Sequence, residues 1–155
     1  MIRHATLEDE QEIRSCAEDA YMQYVARMGR KPAPMVADFA AQISRNYVHV
    51  IGKPREIIQG FIVFFQKDDH IFLENIAVRT SASGQGLGKA LLRHCEEETR
   101  RLGLGSVELY TNEKMTENLA LYPRLGYQEI GRREEDGFKR VYFRKKLNES
   151  KASDP

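Results

Sequence analysis

The run Gly84-Gln85-Gly86-Leu87-Gly88-Lys89 joins an apolar segment to an amphipathic one, and it constrains this chain more than any other feature. Upstream, residues 71–78 read as a buried β-strand. Downstream, Leu87, Ala90, Leu91, Cys95 and Leu102 recur with a helical period. Three glycines within five residues let the backbone adopt left-handed conformations and approach a partner closely. The unpaired amides of the first helical turn and the positive end of the helix dipole then attract an anion. The segment therefore predicts a strand-turn-helix unit that cradles the pyrophosphate of a coenzyme, against the alternative of a plain glycine turn into a helix.

Two familiar phosphate motifs do not fit. A P-loop requires glycine five residues before Gly88 and Ser or Thr after Lys89, where this chain has Ser83 and Ala90. The dinucleotide fingerprint requires glycine at Lys89, or glycine or alanine at Leu91, depending on its register. With 155 residues, 41% hydrophobic and 30% charged, the chain suits one globular domain burying about 70% of its unfolded surface. We expect that domain over residues 1–147, followed by a polar tail over 148–155. A formal charge of +1, with no aromatics interleaved among a basic stripe, argues against a nucleic-acid partner. Cys16, Cys95 and the four histidines lack metal-ligand spacing, so no metal is expected. Met1-Ile2-Arg3-His4 leads straight into a strand and a charged helix, unlike a signal peptide, and no apolar run is long enough to span a bilayer. A cytoplasmic protein without a membrane partner is expected.

Thr6, with Asp9 three residues on, predicts a helix start after a short strand over residues 2–5, with the helix running to about Tyr21. Gly29, Pro32 and Pro34 predict a loop over 24–34, and a second helix is expected over 35–45. Strands over 47–51, 57–66 and 71–78 read as an antiparallel meander. The helix from Leu87 ends at Gly103, with Glu96/Arg100 and Glu97/Arg101 expected as outward pairs. A strand over 106–110, a short helix over 116–125 and a hairpin of 127–130 with 138–146 complete the pattern. The expected class is α/β of the α+β type, with a mixed, largely antiparallel central sheet flanked by helices.

Leu73-Glu74-Asn75-Ile76-Ala77-Val78-Arg79 followed by Gly84-Gln85-Gly86-Leu87-Gly88 resembles the coenzyme-binding motif of the GNAT superfamily of acyl-CoA-dependent N-acyltransferases. Asn118, Ala120, Tyr122 and Gly126-Tyr127 are similar to its second motif. The resemblance implies the GNAT fold, acetyl-CoA as co-substrate and an amine acceptor, with a homodimer among the possible assemblies. It places the pantetheine arm on the backbone of Ile76, Ala77 and Val78 and the pyrophosphate on Ser83, Gly84, Gln85, Gly86, Leu87, Gly88 and Lys89, with Asn118 beside the arm. The superfamily commonly has Arg or Gln where this chain has Ser83, so Arg79 or Lys89 is expected to assist the backbone amides.

Direct transfer brings an uncharged amine to a thioester, stabilises an oxyanion and reprotonates a thiolate. By the same resemblance Tyr122 is the general acid, since a phenol with an ordinary pKa of about 10 stays protonated at neutral pH. Spacing alone also allows Tyr122 to be a packing residue. Glu74 is either a base receiving the amine proton through water or a solvent-facing carboxylate on an alternating strand. For the acceptor, the segment after the first helix offers Tyr21, Tyr24, Arg27, Arg30, Lys31 and Met35, and the later strand offers Tyr110, Thr111 and Asn112. Each basic residue there also reads as part of a solvated loop. A small amine or amino-acid-like acceptor is expected, with a protein lysine or N-terminus, or a non-catalytic acyl-CoA sensor, as alternatives.

Overall fold

The computed structural model describes residues 1–147, and the tail expected over 148–155 lies outside them. The elements are β1 (Ile2–His4), α1 (Glu10–Met28), α2 (Phe39–Ser44), β2 (Val48–Ile51), β3 (Gly60–Lys67), β4 (His70–Val78), α3 (Leu87–Arg101), β5 (Ser106–Asn112), α4 (Thr116–Arg124), β6 (Gln128–Glu135) and β7 (Phe138–Lys146). The strands hydrogen-bond in the order β1-β2-β3-β4-β5-β7-β6. Pairing is antiparallel for β1/β2, β2/β3, β5/β7 and β6/β7, and parallel for β4/β5, where Ile71–Leu73 face Val107–Leu109. A parallel pair needs a long crossover, which α3 supplies. The sheet is thus mixed and largely antiparallel with helices about it, as expected.

The described residues divide into two compact units, Met1–Phe64 with Glu74–Cys95, and Phe65–Leu73 with residues 96–147. In the first, β2 and the stretch 60–64 of β3 are buried at every position. Apart from Gly60 and the buried His49, these positions carry apolar side chains, as burial on both faces requires. Phe39 of α2 meets Phe61 edge-on at 5.6 Å, and α3 approaches at Gly60, where a Cβ would lie 3.3 Å from Leu91 Cδ1 and 2.9 Å from the Ala77 carbonyl. Only glycine permits that approach.

In the second unit burial alternates along β5 and β7, with Val107, Leu109, Thr111, Val141 and Phe143 turned inward. The edge strand β6 carries Arg132, Arg133, Glu134 and Glu135, charges that discourage pairing with another chain.

Two helical boundaries differ from the sequence expectation. Helix α1 continues past Tyr21 to Met28, because no breaker precedes Gly29; that glycine adopts φ 73° and donates its amide to Val25 O at 2.9 Å. The helix expected over 35–45 is instead a 3₁₀ turn at Ala33–Val36 followed by α2, which begins where Asp38 Oδ1 accepts the Ala41 amide at 3.1 Å. Thr6 and Asp9 do mark a start: Asp9 Oδ2 accepts the Thr6 amide at 2.8 Å, and a 3₁₀ turn leads into α1. Among the described residues no helix is long and apolar enough to cross a membrane.

Candidate active site

The glycine-rich turn belongs to the first unit. After β4, the Thr80–Ala82 turn ends as Ser83 donates its hydroxyl to Thr80 O at 2.8 Å. Gly84 and Gly86 adopt φ 81° and 79°, and a Cβ at either would meet nothing within 4 Å. Conformation rather than space therefore demands glycine there. The first bond entering α3 runs from the Ala90 amide to Gly86 O at 3.0 Å. The amides of Leu87, Gly88 and Lys89 thus precede any helical acceptor and, with the helix dipole, suit an anion. Gly84, Gln85, Gly86 and Lys89 are exposed. Arg79, expected as an alternative aid to Lys89, is committed elsewhere: Nε donates to Ile58 O at 2.7 Å and the guanidinium pairs with Glu12 at 2.9 Å.

Along β4, the Arg79 amide donates to Gln59 O at 2.8 Å and the Ala77 carbonyl lies against Gly60. The backbone groups of Ala77 and Arg79 therefore face β3, and by alternation those of Ile76 and Val78 face away from it. Tyr21 is buried, with its hydroxyl 2.8 Å from Asn75 Oδ1 and 3.0 Å from Ile76 O. Asn75 Nδ2 in turn donates to Pro34 O at 3.0 Å, and Glu74 Oε2 accepts from Gln42 Nε2 at 2.8 Å. Tyr24 and Arg27 lie on α1 rather than in a loop, the guanidinium 5.2 Å over the buried Tyr24 ring. Asn75 escaped sequence reasoning, although an amide in an apolar strand is a signal in itself, since a buried polar group requires partners.

In the second unit Asn118 Nδ2 donates to the buried Thr111 Oγ1 at 3.2 Å, and Thr111 donates to Met115 Sδ at 3.5 Å. Tyr122 is 7% exposed. Its ring meets Tyr127 edge-on and Phe143 at a tilt, both at 5.8 Å. Its carbonyl accepts the amides of Leu125 and Tyr127, each at 3.0 Å. Tyr127 donates its hydroxyl to Glu96 Oε2 at 2.9 Å, and Lys145 Nζ reaches Glu96 Oε1 at 3.0 Å. Glu96 was expected to point outward beside Arg100; it is instead 7% exposed, and Arg101 pairs with Glu98 rather than Glu97. Partners 31 and 49 residues away pull Glu96 inward, and no local period reveals them.

Tyr110 is half-buried between Phe72 and Tyr142, with Arg140 Cζ 4.3 Å over its ring. Arg133 sits 4.4 Å over Tyr142. The fold thus interleaves cations and aromatics that the linear sequence keeps apart. Burial, together with a hydrogen bond to Glu135, pushes the Tyr142 phenol up to about 12, while Tyr142 and Arg140 hold the Glu135 carboxyl below its usual range. A cleft of about 290 Å³ beside Arg140 is lined by residues of β6, β7 and Glu113 and includes none of the predicted site residues. No cluster of three His, Cys, Asp or Glu among the described residues could hold a metal.

The chain matches the model of the acetyltransferase (GNAT) family over residues 10–127. It is 28% identical over 73 residues to the uncharacterized N-acetyltransferase YvbK of Bacillus subtilis (strain 168), a match spanning 47% of each chain, or about half the length of that relative. Many solved structures share its fold. The PaiA N-acetyltransferase from Thermoplasma acidophilum, in complex with coenzyme A, superposes with a TM-score of 0.75 at 15% identity, covering 95% of this chain and 98% of that one. The ribosomal-protein-S18-alanine N-acetyltransferase from Escherichia coli gives 0.70 at 19% identity, covering 97% and 95%. With well over half of its residues matched by the family model, this chain belongs to the acetyltransferase (GNAT) family.

Proposed function

We propose that the protein transfers an acetyl group from acetyl-CoA to a primary amine by direct attack, the acceptor being a small amine or amino-acid-like molecule. The observation that carries the reading is the turn at Gly84 and Gly86, held at positive φ where β4 hands over to α3. In this reading the amides of residues 85–89 hold the pyrophosphate. Ile76 and Val78, whose polar backbone groups face away from β3, receive the pantetheine arm; Ala77, turned toward β3, does not. The likeness of its motif assigns Asn118, fixed by Thr111, to the arm, and Tyr24 with Arg27 to the acceptor.

The amine nitrogen forms a bond to the thioester carbonyl carbon and the C–S bond breaks. Tyr122 gives its proton to the departing thiolate, and Glu74, steadied by Gln42, takes the amine proton through water. Tyr21 acts indirectly in this scheme, because its hydroxyl is already engaged by Asn75 and Ile76.

The test is thiol release from acetyl-CoA with spermidine, free amino acids, aminoglycosides and lysine peptides as acceptors. Tyr122→Phe should lower kcat by about 10- to 1,000-fold with little change in the KM for acetyl-CoA. Tight acetyl-CoA binding without turnover of any amine would replace the enzyme reading with that of an acyl-CoA sensor.

A further inference from the structure

We propose that the buried Glu96 and Tyr127, with the half-buried Lys145, form a brace that positions the Tyr122 phenol, making Glu96 and Tyr127 positioning residues for acyl transfer. The inference rests on the reading of Tyr122 as proton donor. Tyr127 is 1% exposed and grips Tyr122 twice, through the amide-to-carbonyl bond of 3.0 Å and through the edge-on ring contact. The far end of its ring is fixed by the hydroxyl bond to Glu96. A carboxylate this deeply buried needs a counter-charge, and Lys145 supplies it.

Lys145 reaches Glu96 by passing over Gly126. A Cβ there would lie 3.1 Å from Lys145 Cε, and Gly126 adopts φ 94°. The glycine thus serves both the turn after α4 and the path of the lysine stem. Apolar residues of similar volume would fill this space without burying a charge pair, and often at no cost in stability. The polar version adds direction: a hydrogen bond at the end of a ring fixes its depth and rotation in a way that packing alone does not. Proton transfer demands such placement, since an error of about 1 Å costs on the order of 100-fold in rate.

Tyr127→Phe removes only the hydroxyl, and Glu96→Gln keeps an acceptor for Tyr127 but removes the charge that holds Lys145. Both are assayed with acetyl-CoA and the fastest amine of the panel above. Each variant should lower kcat about tenfold and leave the KM for acetyl-CoA within about twofold. Tyr122→Phe/Tyr127→Phe should be no slower than Tyr122→Phe alone, because a brace has nothing left to position. If Glu96→Gln fails to fold, Tyr127→Phe alone carries the test. Full activity in Tyr127→Phe, or a multiplicative loss in the double variant, overturns the brace and leaves Tyr122 as donor. Unchanged activity in Tyr122→Phe, or a wild type that turns over no amine, overturns the donor reading and the brace with it.

Discussion

Asp9 shows how one side chain ties local chain geometry to the pH response. Its carboxylate receives two Arg3 nitrogens at 2.8 and 2.9 Å and the Thr6 amide at 2.8 Å. Hydrogen bonding from Arg3 holds the carboxyl below the usual carboxylate range. A lowered value in the folded state means that folding favours the ionised acid. The stabilisation is complete above the ordinary value near 4 and is lost as the pH falls through the folded value. Asp9→Asn should therefore cost about 1–3 kcal/mol at pH 7, with the gap to wild type closing toward pH ~2. Urea unfolding of both proteins at the two pH values checks this. A gap that stays constant with pH would mean that packing, not charge, dominates at this position.

At the scale of the element, the glycine turn and α3 separate binding from stability. Gly86→Ala meets no steric obstacle, so its cost is the left-handed strain of about 1–2 kcal/mol. Relaxing that strain would re-aim the first-turn amides. Gly86→Ala should weaken acetyl-CoA binding at least tenfold by calorimetry, whereas Gly29→Ala, at a similar positive φ just past the end of α1, should cost similar stability and leave binding unchanged. This turn was legible in the sequence because its determinants are local: glycines, a preceding strand and a following apolar period. The continuation of α1 was obscured by prolines that lie beyond its true stop at Gly29. The inward turn of Glu96 was invisible, because a helix face is read from neighbours three and four residues away, whereas its partners come from the α4–β6 turn and β7. The burial of Tyr21 against Asn75 and Ile76 was hidden for the same reason.

For the whole molecule, ligand binding and folding share one free energy. Acetyl-CoA at about 100 times its Kd should stabilise the folded state by about 2.7 kcal/mol and raise the Tm by roughly 5–10 °C. Gly86→Ala at the same concentration should show much less of that rise, and thermal unfolding with and without ligand reads both. The two compact units are each assembled from separate stretches of chain, with the divisions falling within β4 and α3 and at Phe64 of β3. Neither unit is a contiguous length of polypeptide that a single cut could release. In hereditary terms, a crossover with a related gene at any one point would divide a unit rather than exchange it whole.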